Sequence, residues 1–269
     1  MSYDGFKALR VRIEGGVAWL TIDHPPINLF DVALITEMDR VGRALEADDA
    51  VRVVVVRSAD PDFFIAHADV KLILGLPAPA TPAERPNGFQ AMVDRFRTMP
   101  KATIAVIEGI CRGGGSELAL SMDMRFAALG RAVLGQPEVA IGILPGGSGT
   151  QRLPRLVGRS RALEIVLGCA DFPADLAERY GYVNRALPPE ELGPFVERLA
   201  QRIASFPAEA IARAKACVLE ADAGVHEALV LEARGFDALV ALPEARRRME
   251  AFLAMGGQMR ELEKRGLPV

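Results

Sequence analysis

The stretch Cys111-Arg112-Gly113-Gly114-Gly115-Ser116-Glu117-Leu118-Ala119-Leu120 holds the residues best placed to do chemistry. Three glycines run into a carboxylate and then into an apolar, helix-forming run. Upstream, Lys101 to Ile110 reads as a buried strand, so the pattern is strand, glycine turn, helix. The first backbone N–H groups of a helix have no partner inside it and can hold a negative oxygen. Glu117, one turn later, is placed to take or give a proton. Together these features predict a site that stabilises an oxyanion beside a general acid or base. Cys111 has no His near it in sequence and reads as a small buried residue, not a nucleophile. Asp123 reads as a capping or pairing acid.

The elements that must position this turn alternate. Phe6–Ile13 and Val17–Ile22, separated by Glu14-Gly-Gly16, predict a β-hairpin. Ala33–Ala47 predicts an amphipathic helix, with Leu34, Met38, Val41 and Leu45 on one face. Val51–Val56 reads as a buried strand, and Ala66–Leu74 as a loop entering a short helix. Pro77–Pro86, with four prolines, reads as an exposed loop. Phe89–Phe96 resumes as helix. Short strands are expected at Met124–Ala128 and Ala132–Leu134, a turn at Gln136-Pro-Glu138, and helices at Thr150–Val157 and Ser160–Leu167. From Pro189 on the pattern is helical, with breaks near Pro207, Gly224 and Pro243. The chain thus divides into an α/β core over 1–190 and a helical region over 191–269. Such a tail either serves assembly or packs on its own core.

The chain has 269 residues, half of them hydrophobic and a quarter charged, enough for a sizeable core. A net charge of −3 gives no basic footprint, which argues against nucleic acid. No apolar run reaches the ~20 residues of a membrane span. The start, Met-Ser-Tyr-Asp-Gly-Phe-Lys, has no apolar signal core. Three widely spaced cysteines argue against a disulfide framework or a zinc site. These readings predict a cytoplasmic protein with no metal. The glycines at 146, 147 and 149 lack the lysine of a phosphate-binding P-loop, and no Gly-x-Ser-x-Gly motif of a serine hydrolase occurs.

Three segments carry a resemblance: Gly113-Gly-Gly-Ser-Glu-Leu-Ala-Leu-Ser-Met-Asp123, Leu134-Gly-Gln-Pro-Glu138, and Gly142 to Gly158 with its Leu-Pro-Gly-Gly-Ser-Gly core. In order and spacing they resemble the crotonase superfamily, also called the enoyl-CoA hydratase/isomerase family. The resemblance implies a spiral of strand–strand–helix turns with a C-terminal helical region used for trimer formation. It also implies an acyl-CoA substrate, with coenzyme A arriving as part of the thioester and no permanently bound cofactor. A homotrimer or a hexamer built from two trimers is expected.

By motif position, the resemblance assigns the oxyanion donors to the N–H groups of Ala68 and Gly114. Glu117 and Glu138 match the pair that hydrates a 2-enoyl thioester, Glu117 deprotonating water and Glu138 protonating the α-carbon. The helix start is expected to favour ionised Glu117. Lys71 matches a position that reaches the CoA phosphates. Ala66, Asp69, Gly113, Pro137, Pro145, Gly146 and Phe252 are implied around the CoA and acyl groups, and the Leu72–Gln90 segment in the acyl pocket. One departure is plain: the usual Ala-Gly-Ala-Asp turn reads Ala66-His67-Ala68-Asp69. Either the loop has another backbone or His67 accepts strain. The alternatives are a 3-enoyl to 2-enoyl isomerase, or a non-catalytic binding protein on the same fold.

Overall fold

The computed structural model describes residues 3–76, 83–220 and 224–265. Of the proline-rich segment, residues 77–82 lie outside the described residues.

The chain opens with β1 (Leu9–Glu14) and β2 (Val17–Ile22), an antiparallel hairpin. Helix α1 (Val32–Ala47) follows, capped by Asp31, whose side chain accepts from the Leu34 amide at 2.9 Å. Its face of Leu34, Met38, Val41 and Leu45 is buried, as the helical spacing predicts. Next come β3 (Val53–Ser58), β4 (Phe63–Ile65), α2 (Val70–Leu74) and α3 (Gly88–Thr98). The Asn87 and Gln90 side chains each bond the other's backbone N–H to start α3.

Strands β5 (Ala102–Ile107) and β6 (Ile110–Arg112) lead into α4 (Gly114–Ser121). Then β7 (Met124–Ala128) and β8 (Val133–Gly135) lead through a 3₁₀ turn, Glu138–Ile141, to α5 (Gly149–Val157) and α6 (Arg159–Gly168). The remainder is β9 (Phe172–Pro173), α7 (Ala174–Tyr180), β10 (Arg185–Leu187), α8 (Pro189–Ala204), α9 (Ala208–Leu219), α10 (Val225–Val240), α11 (Pro243–Ala254) and α12 (Arg260–Arg265).

The strands sort into two sheets, ordered β1-β2-β3-β5-β7-β10 and β4-β6-β8-β9. Consecutive strands alternate between them: β3 then β4, β5 then β6, β7 then β8. Each pair is followed by helix, which makes the spiral of strand–strand–helix turns. The run Val53–Val56 is wholly buried because β3 lies between parallel neighbours β2 and β5 with both faces covered. Of the second sheet, sequence pattern gives β8, the short strand expected at Ala132–Leu134. The sheet's strands are two or three residues long, and β6 continues directly from the β5 pattern. Glu138 lies in the 3₁₀ turn, one residue past a simple reverse turn.

The helical tail does not stand apart. Helix α8 packs on β2, β3, β5 and β7, α10 on α5, and α11 on α2 and the 3₁₀ turn. Among the described residues no helix is long and apolar enough to cross a membrane.

Candidate active site

Two segments with unpartnered backbone amides, one after β4 and one after β6 of the same sheet, come into contact. Gly113 caps α4 at φ +49°, a conformation glycine reaches without steric cost. Gly115 lies so close to β4 that a Cβ there would stand 2.5 Å from the Ile65 carbonyl oxygen. Every residue of α4 is buried. The second amide is that of Ala68. Phe30 pairs with this loop as a parallel bridge, its N–H donating to the His67 carbonyl and its carbonyl accepting from the Asp69 amide, both at 3.0 Å. In a parallel pair the bridged residue's own N–H points the other way. The Ala68 amide therefore faces away from Phe30. A Cβ built on Gly114 would lie 3.4 Å from the Ala68 Cβ, so the two segments are in contact. Neither amide, 68 or 114, has an acceptor among the described residues.

Glu117 extends from the first turn of α4 to the glycine loop before α5. One of its oxygens, Oε1, accepts from the Gly147 and Gly149 amides at 2.7 and 2.8 Å, leaving Oε2 without a protein donor among the described residues. Burial pushes its pKa up, the nearby Glu232 pushes it further, and the two amides and Arg152 pull it back. The net shift is upward. The expected preference of the helix start for ionised Glu117 is therefore outweighed by desolvation. Glu138 is also raised, well above its ordinary value, first by burial and then by the charge of Glu117. Gln136 sits behind it. With its amide oxygen accepting from Ser116 Oγ, its nitrogen lies 3.0 and 3.2 Å from the two Glu138 oxygens. Ser116 in turn meets the buried Tyr182 hydroxyl.

A cavity of about 340 Å³ opens beside this pair, lined by Ala68, Pro137, Glu138, Ile143, Phe252 and His67 among others. Arg247 and Arg248 of α11 stand at its edge. Of the residues the resemblance implies around the substrate, Pro137 and Phe252 line this cavity. Pro145 packs on Gly149, and Gly146 on the Phe236 ring. Asp69 caps α2 and also accepts from Gln258 Nε2 at 2.6 Å, which makes it a structural acid. Ala66 is fully buried with Ile27, Phe63 and Ile110, away from the cavity lining. Lys71 is exposed on α2 and does not line the cavity. Asp123 pairs with Lys215 at 2.9 Å, as a pairing acid should. Cys111 is buried and its thiol is pushed well above its ordinary range by burial, so it is no nucleophile.

His67 does not adopt a positive φ, so the loop has a backbone that a side chain tolerates. Its Nδ1 faces the Ala68 carbonyl at 2.8 Å and its Nε2 faces Glu263 Oε1 at 3.1 Å. That same Glu263 oxygen accepts from the Gln258 amide at 2.8 Å. Both partners of the ring are acceptors. Glu263 Oε2 lies 3.4 Å from Arg112, which also grips Asp171 through two bonds of 2.7 Å. Burial pushes the Glu263 pKa up, but His67, the Gln258 amide and Arg112 outweigh it, and the net shift is downward.

Sequence reading misses Glu263, Glu232, Gln136 and the two arginines. Glu232 carried a signal: it falls on the apolar stripe Leu229, Ala233, Phe236 of α10, where a carboxylate has no reason to be unless it is partnered. Glu263 carried none, since its partners lie about 150 to 200 residues away in sequence.

The family model described as enoyl-CoA hydratase/isomerase matches residues 12–257. Crotonyl-CoA hydratase of Syntrophomonas wolfei is 35% identical over 250 residues, covering 92% of this chain and 95% of that protein. Short-chain-enoyl-CoA hydratase of Clostridium acetobutylicum is 33% identical over 246 residues, covering 89% and 92%. A solved structure from Streptomyces avermitilis, 40% identical, superposes with a TM-score of 0.87 over 96% of this chain and 95% of that one.

Proposed function

The chain belongs to the enoyl-CoA hydratase/isomerase family, and on that premise we propose that it adds water across the double bond of a 2-enoyl-CoA thioester using Glu117 and Glu138. One observation carries the reading: two buried carboxylates, both with proton affinity raised by burial, flank a pair of unpartnered amides. Raised proton affinity lets a carboxyl act as acid or base near neutral pH.

The thioester oxygen sits between the Ala68 and Gly114 amides. Glu117, ionised and holding a water on Oε2, takes its proton as the water oxygen bonds to the β-carbon. Electrons move to the thioester oxygen, where the two amides stabilise the charge. Glu138, kept protonated by burial, then protonates the α-carbon. One proton is taken and one is given, so the pair returns to its starting state by passing a proton from Glu117 to Glu138. The cations of Arg247 and Arg248 at the cavity edge, and the exposed Lys71, suit the CoA phosphates. Assembly into a trimer or hexamer is supported by α9, which buries none of its residues in the single chain and leaves Val218 exposed. Light scattering tests it.

Glu117→Gln and Glu138→Gln should each lower the rate on crotonyl-CoA by about 10²–10⁴-fold, followed as loss of enone absorbance. Full activity in the double variant would sink the assignment. A shifted alkene in place of a 3-hydroxyacyl product would make the enzyme an isomerase. The pH profile follows from the directions of the shifts. Activity falls as pH drops through the raised pKa of Glu117, because the base is protonated. It falls again as pH rises through the raised pKa of Glu138, because the acid is lost. The working window therefore lies wholly above the ordinary carboxylate range near about 4.

A further inference from the structure

A third carboxylate shares the loop that holds Glu117. Residues 147 to 150 present successive amides to opposite sides. Those of Gly147 and Gly149 donate to Glu117. That of Thr150 donates to Glu232 Oε2 at 2.9 Å, and the Ser148 amide also serves Glu232. Ser148 at φ +121° is the strained residue that makes the alternation possible. Glu232, 3% exposed on α10, completes its shell with the Thr150 hydroxyl and Gln90 Nε2, the latter at 3.1 Å. Gln90 is itself locked by the N-terminal cap of α3.

The charges facing this loop do not balance. Glu117 comes from α4, Glu138 from the 3₁₀ turn and Glu232 from α10. The cation among them is Arg152 of α5, and it is already engaged with Ser148 Oγ at 2.8 Å and Asp94 at 2.9 Å, the latter shared with Arg97. Amides that stabilise a charge on one side of the loop are held by the same backbone that stabilises one on the other. Like charges this close, out of water, oppose each other's ionisation.

We propose that Glu232 is a positioning residue for the hydration: it clamps the 147–150 loop from the side opposite Glu117 and sets how tightly Glu117 holds a proton. An ionised Glu232 makes Glu117 a stronger base toward water, while its bonds to Thr150 keep the Gly147 and Gly149 amides aimed. The proposal rests on the assignment of Glu117 as the base. It adds that the base strength is tuned by a group that touches neither substrate nor water.

The test is Glu232→Gln in the full chain, with crotonyl-CoA hydration measured against pH. Glutamine keeps the shape and an acceptor for Thr150 but removes the charge. The acidic limb of kcat/KM, which reports the base of the free enzyme, should move to lower pH by about one unit. The rate above that limb should fall about tenfold with little change in KM. Glu232→Asp, which keeps the charge, should return the limb toward its original position. A uniform rate loss with an unmoved limb would mean a structural role only and would overturn the proposal. A second measurement needs no change at 232: carboxyl-carbon NMR of the glutamates in the unmodified protein and in Glu117→Gln. Coupling is reciprocal, so the Glu232 transition should move down when the Glu117 charge is gone. An identical Glu232 titration in both proteins would overturn it. Full hydratase activity in Glu117→Gln would instead defeat the assignment of the base, and the NMR comparison would still read the coupling.

Discussion

The two halves of the proposed oxyanion site are built by opposite means. Gly114 stands at the start of a helix whose position is dictated by neighbours in the chain: a glycine at φ +49° before it, a glycine pressed on Ile65 after it, and the rest of the helix buried behind. Ala68 sits in a loop with one side tied to Phe30 and the other to the far end of the chain. Glu263 holds His67, Gln258 holds Asp69, and Arg260 and Lys264 hold Asp60 and Asp62 just upstream. A donor can be fixed by steric necessity or by polar links across the fold. The first kind fails when something is added, the second when something is removed.

The largest effect should come from adding one methyl on the steric side. Gly115→Ala places a Cβ 2.5 Å from a backbone oxygen, so α4 must shift away from β4. We expect a loss of about 2 kcal/mol in stability by thermal unfolding. A displaced oxyanion donor should cost about 10²-fold in kcat. By contrast Gly114→Ala meets its neighbours at 3.3–3.4 Å and should cost far less, which separates crowding from mere proximity. If the two variants behave alike, the steric account of this half is wrong.

On the polar side, Glu263→Gln should act from the other end of the sequence. It removes the charge facing His67 while Arg112 keeps Asp171. Leaving buried donors poorly matched costs about 1–3 kcal/mol. The kcat should fall about tenfold, with KM for crotonyl-CoA little altered, since the variant disturbs a donor that matters most in the transition state. An unchanged kcat in a destabilised protein would show that the C-terminal links hold the fold but not the Ala68 amide.

His67→Gly is a milder cut. It restores the residue the family resemblance implies at this position and frees the loop from Glu263. We expect a kcat reduction of a few-fold and a glycine-sized entropy cost of about 1 kcal/mol, read by denaturant unfolding.

The smallest effect is a pH response confined to the loop. The folded Glu263 pKa is depressed, so its stabilising contribution is complete above the ordinary carboxylate value and is lost as pH falls through the lowered one. Hydrogen exchange of the 66–69 amides should quicken in that acidic range, relative to the intrinsic rate, before that of 113–115. Simultaneous loss of protection in both segments would erase the distinction between the halves.

The legible part of this site is the local part. Gly113–Glu117 and Gln136–Glu138 announce themselves because a turn, a helix start and a neighbouring acid are encoded within a few residues. The α1 stripe and the Val53–Val56 run likewise carry their burial in their spacing, and the helical tail shows its breaks at Pro207, Gly224 and Pro243. Of the second sheet only β8 shows, because strands of two or three residues leave almost no period to read. His67 reads as a departure from a glycine turn, yet its partner cannot be guessed from a segment that carries no pattern pointing back to residue 67.

The sequence by itself determined the glycine turn and the acid one turn into its helix, both properties of short-range pattern, while its motifs implied the family, the spiral and Glu138 by resemblance. Tertiary structure decided three things. Burial, not the helix dipole, governs the proton on Glu117, because desolvation depends on what surrounds the side chain in space. Glu232 joins Glu117 on one loop, because α10 packs across α5. The Ala68 amide is held by residues 258 to 263, because ionic partners inside a folded chain are chosen by position in space and leave no periodic trace along the sequence.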